Sequence, residues 1–349
     1  MSLSSFTQIS SRLIAAATLI LAANLSAEPT LQVPVEPVDP LQVPIDDVEV
    51  PQLAAYDSQT DYQADSPLAK MSQLPVGALQ LSAENAHILW AETKSGKLHL
   101  LERDQQGGLK PIKSMNMSIG KAGYGKEVEG DKRTPIGVYR FTSFLSDEQL
   151  TDFYGLGAYP IDYPNAHDKR LKRTGHGIWL HGFPKGVDSR PSRDSDGCVV
   201  IHNDELTEMA SYIETGETYL IISEHLQWQP IDQAQQQLRP VEQAFNQWLS
   251  AWQTIDNDRY LGFYDETFTN LKKDKTQWEN YKRRIHKNKR FIDVSISDLS
   301  IFEYPGETDL ISLRYFQSYK SSNYRWAGWK EQLWGLRDGQ WKIIYEGDA

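Results

Sequence analysis

The sequence predicts two folded domains, a mostly-β domain over residues 76–225 and an α+β domain over residues 240–349. In the first region, short apolar stretches are separated by glycine-containing turns, a pattern typical of strands. In the second region, a helical stripe of large apolar residues comes first, and strands with two-residue alternation follow it. Helices that precede a curved antiparallel sheet can cover one face of that sheet, which gives an α+β domain.

The chain begins with an apolar segment that has the form of an export signal. Arg12 precedes an apolar run over residues 13–23, which is too short to span a bilayer, and the small residues Ser26 and Ala27 follow it. We therefore predict a signal peptide over residues 1–27, with no stable membrane span after cleavage; an uncleaved anchor is the alternative. An exported chain with a single cysteine cannot form an internal disulfide, so its thiol stays unpaired.

Residues 28–75 carry nine acids and one base, a local charge of −8, whereas the whole chain carries −11. The stretch is rich in proline and repeats Leu-Gln-Val-Pro once. This composition predicts an extended, disordered linker. The chain has no overall basic excess and no metal-finger spacing, so nothing indicates a nucleic-acid partner.

Between residues 76 and 225, turn signals delimit the expected strands. Residues 88–92 and 98–101 flank a Lys-Ser-Gly-Lys turn and predict a hairpin. Residues 115–130 contain four glycines and predict a mobile loop beside a cleft. Residues 142–175 are polar and irregular, and we interpret them as an insertion that caps the site. An apolar strand over residues 219–222 closes the domain.

A glutamine-rich linker is expected over residues 226–239, ending at Pro240. A helix follows it, and two more are expected over residues 260–268 and 278–285. The stripe of the first helix consists of Val241, Phe245, Trp248, Leu249 and Trp252. Strands are predicted around residues 292–297 and 311–315, and Asp338-Gly339 predicts a tight hairpin between the last two.

The only cysteine, Cys198, stands in a pattern suited to nucleophilic chemistry. His181 lies 17 positions earlier, and an imidazole is the usual means of activating a thiol. Gly197 precedes the cysteine directly, which allows a sharp turn that leaves backbone amides free to bind an oxyanion. A buried, inert cysteine is the alternative for a lone thiol.

This pattern resembles a known family signature. His181-Gly182, Ser195-Asp196-Gly197-Cys198 and Asn203 together resemble the signature of the YkuD-type L,D-transpeptidases of the bacterial cell wall. The stretch from Thr134-Pro135 to Tyr139 is similar to the same family's second landmark. The resemblance implies a β-rich catalytic domain with Cys198 as nucleophile and His181 as base. Asp196 replaces the usual histidine, and Val200 replaces an arginine that often follows the cysteine.

The resemblance also implies the substrate, a peptidoglycan stem peptide cut between its third, diamino-acid residue and the following D-alanine. An amine acceptor would make the protein an L,D-transpeptidase, whereas water would make it an L,D-carboxypeptidase that trims tetrapeptides and controls cell shape. A non-catalytic wall-binding protein is a further alternative. Each of these functions places the protein in the periplasm of a Gram-negative-type envelope.

Other residues complete the predicted site. Ser195 and Gly182 are expected to support the turns beside the dyad, and Trp179, Asn203 and Tyr124 are candidates for substrate contact. No metal and no cofactor is expected. A zinc site that used His176 is disfavoured because His176 and His181 are an odd number of residues apart on a strand and face opposite sides.

The order of elements after residue 240, with tryptophan-rich final strands, resembles the nuclear-transport-factor-like (SnoaL-like) cone. Such cones host both enzymes and binding pockets, so this likeness gives no function by itself. A cone can also close a homodimer through its sheet, and the aromatic strands over residues 311–334 would suit such a contact if one face stays exposed.

Overall fold

The computed structural model describes residues 72–349, so the predicted signal peptide and most of the predicted linker lie outside the described residues. The prediction of disorder is wrong at the end of that linker, where residues 73–75 form a strand. Strand β1 (Gln73–Pro75) pairs antiparallel with β14 (Trp228–Pro230), and the side chain of Leu74 is buried in the core. None of the helices in the described part of the chain is long and apolar enough to cross a membrane.

The first domain is built around a five-stranded sheet. Its strands are β3 (His87–Glu92), β4 (Lys97–Arg103), β5 (Leu109–Asn116), β7 (Gly137–Arg140) and β13 (Tyr219–Ser223). Their order across the sheet is β5-β4-β3-β13-β7. The predicted hairpin is present as β3 and β4, and the predicted closing strand is β13, which lies between β3 and β7 and is buried along its whole length.

A second sheet carries the region around the cysteine. It consists of β8 (Leu145–Ser146), β9 (Gly157–Pro160), β10 (Trp179–Gly182) and β12 (Val199–Ile201), in the order β12-β10-β9-β8. A two-stranded ladder of β6 (Ile119–Gly120) and β11 (Arg193–Ser195) lies in the same domain. Its helices are α1 (Ala166–Arg170), α2 (Asn203–Met209) and the 3-10 turns Asp147–Gln149, Asp152–Tyr154 and Ala210–Tyr212.

The second domain has the predicted α+β order. Its elements are α3 (Ile231–Gln253), α4 (Asn257–Leu261), β15 (Tyr264–Thr269), α5 (Lys275–His286), β16 (Ile292–Glu303), β17 (Leu310–Ser321), β18 (Tyr324–Arg337) and β19 (Gln340–Asp348). The sheet order is β15-β19-β18-β17-β16-β2, so its sixth strand, β2 (Ala78–Gln80), comes from the other end of the chain. The helix predicted over residues 260–268 is wrong after Leu261, because the chain turns at Gly262 and continues as β15.

The prediction of a linker over residues 226–239 is also wrong, since α3 begins at Ile231 and continues through Pro240. A proline inside a helix removes the hydrogen bond to the carbonyl four residues earlier, here that of Gln236. Gln236 and Pro240 are both exposed, so water can satisfy this carbonyl. On the opposite face, Ile231 and Leu238 are buried, and this apolar face continues without a break across the proline.

Three clusters of buried apolar side chains form the core. One lies within the second domain under α3, and one lies within the first domain around β10, β12 and β13. The third is shared, since it brings Trp90 and Tyr219 of the first domain together with Phe302, Tyr304 and Leu333 of the second. The two domains are therefore joined by a common apolar core rather than by a flexible linker.

Candidate active site

Parallel strands β10 and β12 bring the two predicted catalytic residues to one cleft. Their register pairs His181 with Val200, so the residue before β12, Cys198, continues that register opposite Trp179. Side chains two residues apart on a strand share a face, and His181 and Cys198 therefore face the same side. Both line a cleft of about 240 Å³. The other lining residues are Lys126, Glu129, Gly130, Phe153, Tyr154, Gly175, His176, Gly177, Ile178, Ser195 and Asp196.

The ring of His181 is oriented by its neighbour. Its Nδ1 lies 2.7 Å from the carbonyl oxygen of Gly182, a contact that requires Nδ1 to carry the proton and to donate it. The other nitrogen, Nε2, is then the basic one. Burial lowers the pKa of His181 to about 4, so the imidazole is neutral at physiological pH and can accept a proton.

Gly182 and Asn203 fix the end of strand β10. A Cβ atom on Gly182 would lie 2.0 Å from Oδ1 of Asn203, so only glycine fits here. Both polar atoms of the Asn203 amide are bonded to the main chain: Oδ1 accepts from the N–H of Leu156, and Nδ2 donates to the carbonyl of Phe183. Asn203 does not line the cleft, and its side chain holds the main chain at Leu156 and Phe183.

The turn that presents Cys198 is closed by Ser195. The Ser195 hydroxyl donates to the carbonyl oxygen of Cys198 at 2.6 Å and accepts from the N–H of Gly197 at 3.1 Å. Gly197 has a φ of +133°, and a Cβ there would lie 2.9 Å from both the Arg133 carbonyl oxygen and Cδ1 of Ile178. The Gly197 N–H is therefore already paired and is not free to bind an oxyanion.

Thr134, from the second sequence landmark, supports the same turn. Its hydroxyl donates to the carbonyl oxygen of Gly197 at 2.9 Å and accepts from the N–H of Gly120, also at 2.9 Å. The side chain is completely buried. One hydroxyl therefore connects the glycine-containing loop to the cysteine turn, which is a physical reason for a threonine at this landmark.

Cys198 is held as a neutral thiol in the resting structure. Burial raises its pKa to about 11, although the main-chain N–H of Trp179 and the charge of Arg190 act in the opposite direction. Sγ lies 3.5 Å from the carbonyl oxygen of Gly177, an acceptor that suits a thiol proton. Both groups are therefore neutral in the cleft, a thiol and an imidazole, and not a thiolate and an imidazolium.

Two predicted contact residues are set back from the cleft. The indole of Trp179 is half-buried against the ring of Tyr154, with 4.8 Å between centroids, and does not line the cleft. Tyr124 forms an isolated bridge with Thr134, and its carbonyl oxygen accepts from Arg133. It holds the glycine-containing loop to the turn but does not line the cleft.

The capping insertion supplies a wall that sequence reasoning did not assign residue by residue. Phe153 and Tyr154, on a 3-10 turn, place their ring centroids 6.0 and 5.1 Å from that of His181. An adjacent aromatic pair in an irregular segment was the only signal for them. Lys126 forms the other edge, where it pairs with Asp131 at 2.8 Å. Burial opposes ionisation of Asp131, but hydrogen bonds from Lys126 and backbone N–H groups hold its pKa at about 2.

The histidine that could have contributed to a zinc site is on the surface. The side chain of His176 is 86% exposed at the cleft edge, 3.9 Å from a Glu129 oxygen. Within residues 72–349, no three His, Cys, Asp or Glu side chains are grouped in a way that could hold a metal ion.

Sequence comparison identifies both domains. Residues 86–222 match YkuD, the L,D-transpeptidase catalytic domain, and residues 240–347 match the Cds6 C-terminal NTF2-like domain. The chain thus carries a YkuD domain and an NTF2-like domain. Both assignments confirm the sequence predictions. No match was found among curated proteins.

Two solved structures share this arrangement of domains. Bd1075 of Bdellovibrio bacteriovorus is 29% identical, with a TM-score of 0.68, over 80% of this chain and 98% of that one. The helical cell shape determining protein Pgp2 of Campylobacter jejuni is 23% identical, with a TM-score of 0.66, over 80% and 96% of the respective chains. The predicted fold class, a mostly-β L,D-transpeptidase domain followed by an α+β cone, is therefore confirmed.

Proposed function

We propose that the protein is a periplasmic cysteine acyltransferase that cleaves the L,D bond before the D-alanine of peptidoglycan stem peptides. The observation that carries the proposal is that His181 on β10 and Cys198, directly before β12, line a single cleft of a YkuD domain. YkuD domains are peptidoglycan L,D-transpeptidase catalytic domains, which supports this substrate class.

The proposed cycle uses the neutral dyad directly. As Sγ of Cys198 attacks the carbonyl carbon, Nε2 of His181 takes the thiol proton. The tetrahedral intermediate collapses when the carbon–nitrogen bond breaks, and His181 gives its proton to the departing D-alanine amine. A thioester on Cys198 remains. An amine or water then attacks the thioester carbonyl, His181 takes the proton of the attacking group, and the thiol is released with that proton.

The acceptor decides between an L,D-transpeptidase and an L,D-carboxypeptidase. A transpeptidase joins two stems, whereas a carboxypeptidase leaves a tripeptide. Pgp2, which shares the domain arrangement, is described as a protein that determines helical cell shape, and trimming of tetrapeptides is the reaction that would suit such a role here. We therefore keep hydrolysis as the second candidate beside cross-linking.

Mass spectrometry of purified disaccharide-tetrapeptide after incubation tests the proposal. Loss of D-alanine with formation of dimers indicates transpeptidation, and loss without dimers indicates hydrolysis. Cys198→Ala should abolish both products while the protein keeps its unfolding temperature. A Cys198→Ala variant that processes tetrapeptide at the wild-type rate would refute the thioester mechanism, and a wild type that leaves tetrapeptide intact favours the wall-binding alternative.

A further inference from the structure

Arg190 is a buried cation beside the dyad, in the loop between β10 and β11. Its side chain is only 7% exposed. Arginine is rarely buried to this extent unless its hydrogen-bonding groups are paired, because removal of the charge from water is costly. The partners of its three nitrogens therefore show what the residue can still bind.

Two of the three nitrogens are paired, and both pair with Asp194. Nε donates to Oδ2 of the carboxylate at 3.0 Å, and Nη2 donates to the main-chain oxygen of the same residue. The third nitrogen, Nη1, is buried and has no hydrogen-bond partner among the described residues. A guanidinium nitrogen left without an acceptor in a buried place is costly, which points to an acceptor that arrives from outside.

The guanidinium of Arg190 lies next to the aromatic wall of the cleft. The guanidinium carbon is 5.8 Å from the centroid of the Phe153 ring, and that centroid is 6.0 Å from the His181 ring. Phe153 lines the cleft together with Cys198 and is 51% exposed on its 3-10 turn, so one side of its ring is open to solvent. The charge of Arg190 also reaches the dyad, since it lowers the pKa of both His181 and Cys198.

The other cations near the cleft are already engaged. Nζ of Lys126 is bound to Asp131 at 2.8 Å and to the Val128 carbonyl at 3.0 Å. Lys121 lies on the surface, 3.4 Å from the carboxylate of Asp196. Val200, which replaces an arginine in the sequence signature, is completely buried and cannot touch a substrate. Among these cations, Arg190 is the one with a buried nitrogen that has no hydrogen-bond partner in the described part of the chain.

We propose that Nη1 of Arg190 binds the terminal carboxylate of the D-residue that leaves in the reaction, after Phe153 moves aside. The inference rests on the proposed function and specifies its acyl donor. That acyl donor is a stem peptide whose last residue is the D-residue released by the cleavage. In such a stem, only the amide nitrogen and one carbon separate the carboxylate from the attacked carbonyl. A guanidinium matches a carboxylate in both charge and planar geometry.

The first test compares two peptides, the stem tetrapeptide with a free terminal carboxylate and the same peptide with a terminal carboxamide. Wild type should show a kcat/KM about 10- to 100-fold higher for the carboxylate, the usual effect of a hydrogen bond to a charged group. Arg190→Met should lose that preference because its kcat/KM falls for the carboxylate peptide alone. Arg190→Lys should keep part of the preference. An equal loss on both peptides in Arg190→Met means a structural role and overturns the proposal.

Arg193→Met is the matched control, because Arg193 is an exposed arginine three residues away. It should keep the wild-type preference. If Lys126→Met abolishes the preference for the carboxylate while Arg190→Met retains it, the carboxylate binds at the other edge of the cleft and the proposal is wrong.

The second test does not need peptide cleavage. Iodoacetate carries a carboxylate and iodoacetamide does not, so the ratio of their rates on Cys198 reports a cation that can hold a carboxylate. Arg190→Met should lower this ratio several-fold, whereas Arg193→Met should not. If wild type cleaves neither peptide, the proposed function fails, and the alkylation ratio still decides the role of Arg190. If the ratio of the iodoacetate and iodoacetamide rates is unchanged in Arg190→Met, the proposed binding of a carboxylate by Arg190 is wrong.

Discussion

Arg314 of the NTF2-like domain forms a bidentate ion pair with Glu217 of the YkuD domain, with nitrogen–oxygen distances of 2.8 and 3.2 Å. Nη2 also donates to the carbonyl oxygen of Gly216, and the guanidinium lies 3.6 Å from the centroid of the Trp329 ring. A second polar junction lies elsewhere along the interface, where Asn165 donates to the hydroxyl of Tyr304 at 2.8 Å. These contacts surround the shared apolar core.

We expect the two domains to unfold together. The sequence predicted a domain boundary at residue 240, but a cut there divides helix α3 and removes strand β2 from its sheet. A protein of residues 72–349 should therefore show one transition in urea, and residues 240–349 alone should lack cooperative unfolding by circular dichroism. Two separated transitions in the longer protein would contradict this.

Arg314→Met should weaken the junction itself. The arginine is 7% exposed and its partner Glu217 is 33% exposed, so solvent screens part of the interaction. We expect a loss of about 1–3 kcal/mol in the free energy of unfolding, below the usual cost of breaking a fully buried pair. Urea titration measures it. Arg325→Met, which removes an exposed arginine from the same sheet, should change the stability by less than about 0.5 kcal/mol.

Much of the fold follows from local patterns. Strand β16 was predicted because Ile292 and Val294 alternate with polar residues, and both are buried. The hairpin at Asp338-Gly339 was predicted from its turn chemistry, and both residues have a positive φ. The linker prediction failed at Pro240 because proline normally ends a helix, and only in the folded protein is it visible that water can reach the carbonyl left without a partner.

The site was predictable where chemistry fixes the residue type. Cys198 and His181 could be named because few residues serve as nucleophile and base, and the structure brings them to one cleft. The candidates for substrate contact do not line the cleft, because a position next to the dyad in sequence does not give a side-chain direction. Asn203 turns inward to bind backbone groups. Phe153 reaches the cleft from a distant insertion, and its place there depends on tertiary packing that no local pattern encodes.

Gly197→Ala should damage both folding and chemistry. The positive φ costs a non-glycine residue about 1–3 kcal/mol, and the new Cβ would also press against the Arg133 carbonyl oxygen. We expect a larger loss of stability than in Gly186→Ala, where φ is also positive but nothing lies within 4 Å of the added carbon. Urea titration and the rate of Cys198 alkylation measure the two effects. Equal losses of stability in Gly197→Ala and Gly186→Ala would show that the contact between the new Cβ atom and the Arg133 carbonyl oxygen is unimportant.

The neutral dyad predicts an unusual pH dependence. Because burial raises the pKa of Cys198 to about 11, its alkylation by iodoacetamide should keep rising with pH through the alkaline range. A rate plateau near neutral pH would instead show a thiolate–imidazolium pair. Because burial lowers the pKa of His181 to about 4, the neutral base persists above that pH, and kcat/KM for tetrapeptide should fall only as the pH approaches 4. A fall already complete at pH 6 would contradict this.

Carbapenems should acylate Cys198, because their strained amide resembles an acyl donor and the cleft presents the thiol beside a base. Intact-protein mass spectrometry should show one adduct on wild type and none on Cys198→Ala. Since the resting thiol is neutral, the reaction needs His181 to take its proton, and His181→Gln should slow adduct formation by about 10²–10⁴-fold, the usual contribution of a general base. His176→Gln is the matched control, because that histidine is exposed at the cleft edge. If His181→Gln forms the adduct at the wild-type rate, the thiol ionises without this histidine. The assignment of His181 as base would then be wrong, even though Cys198 would remain the nucleophile.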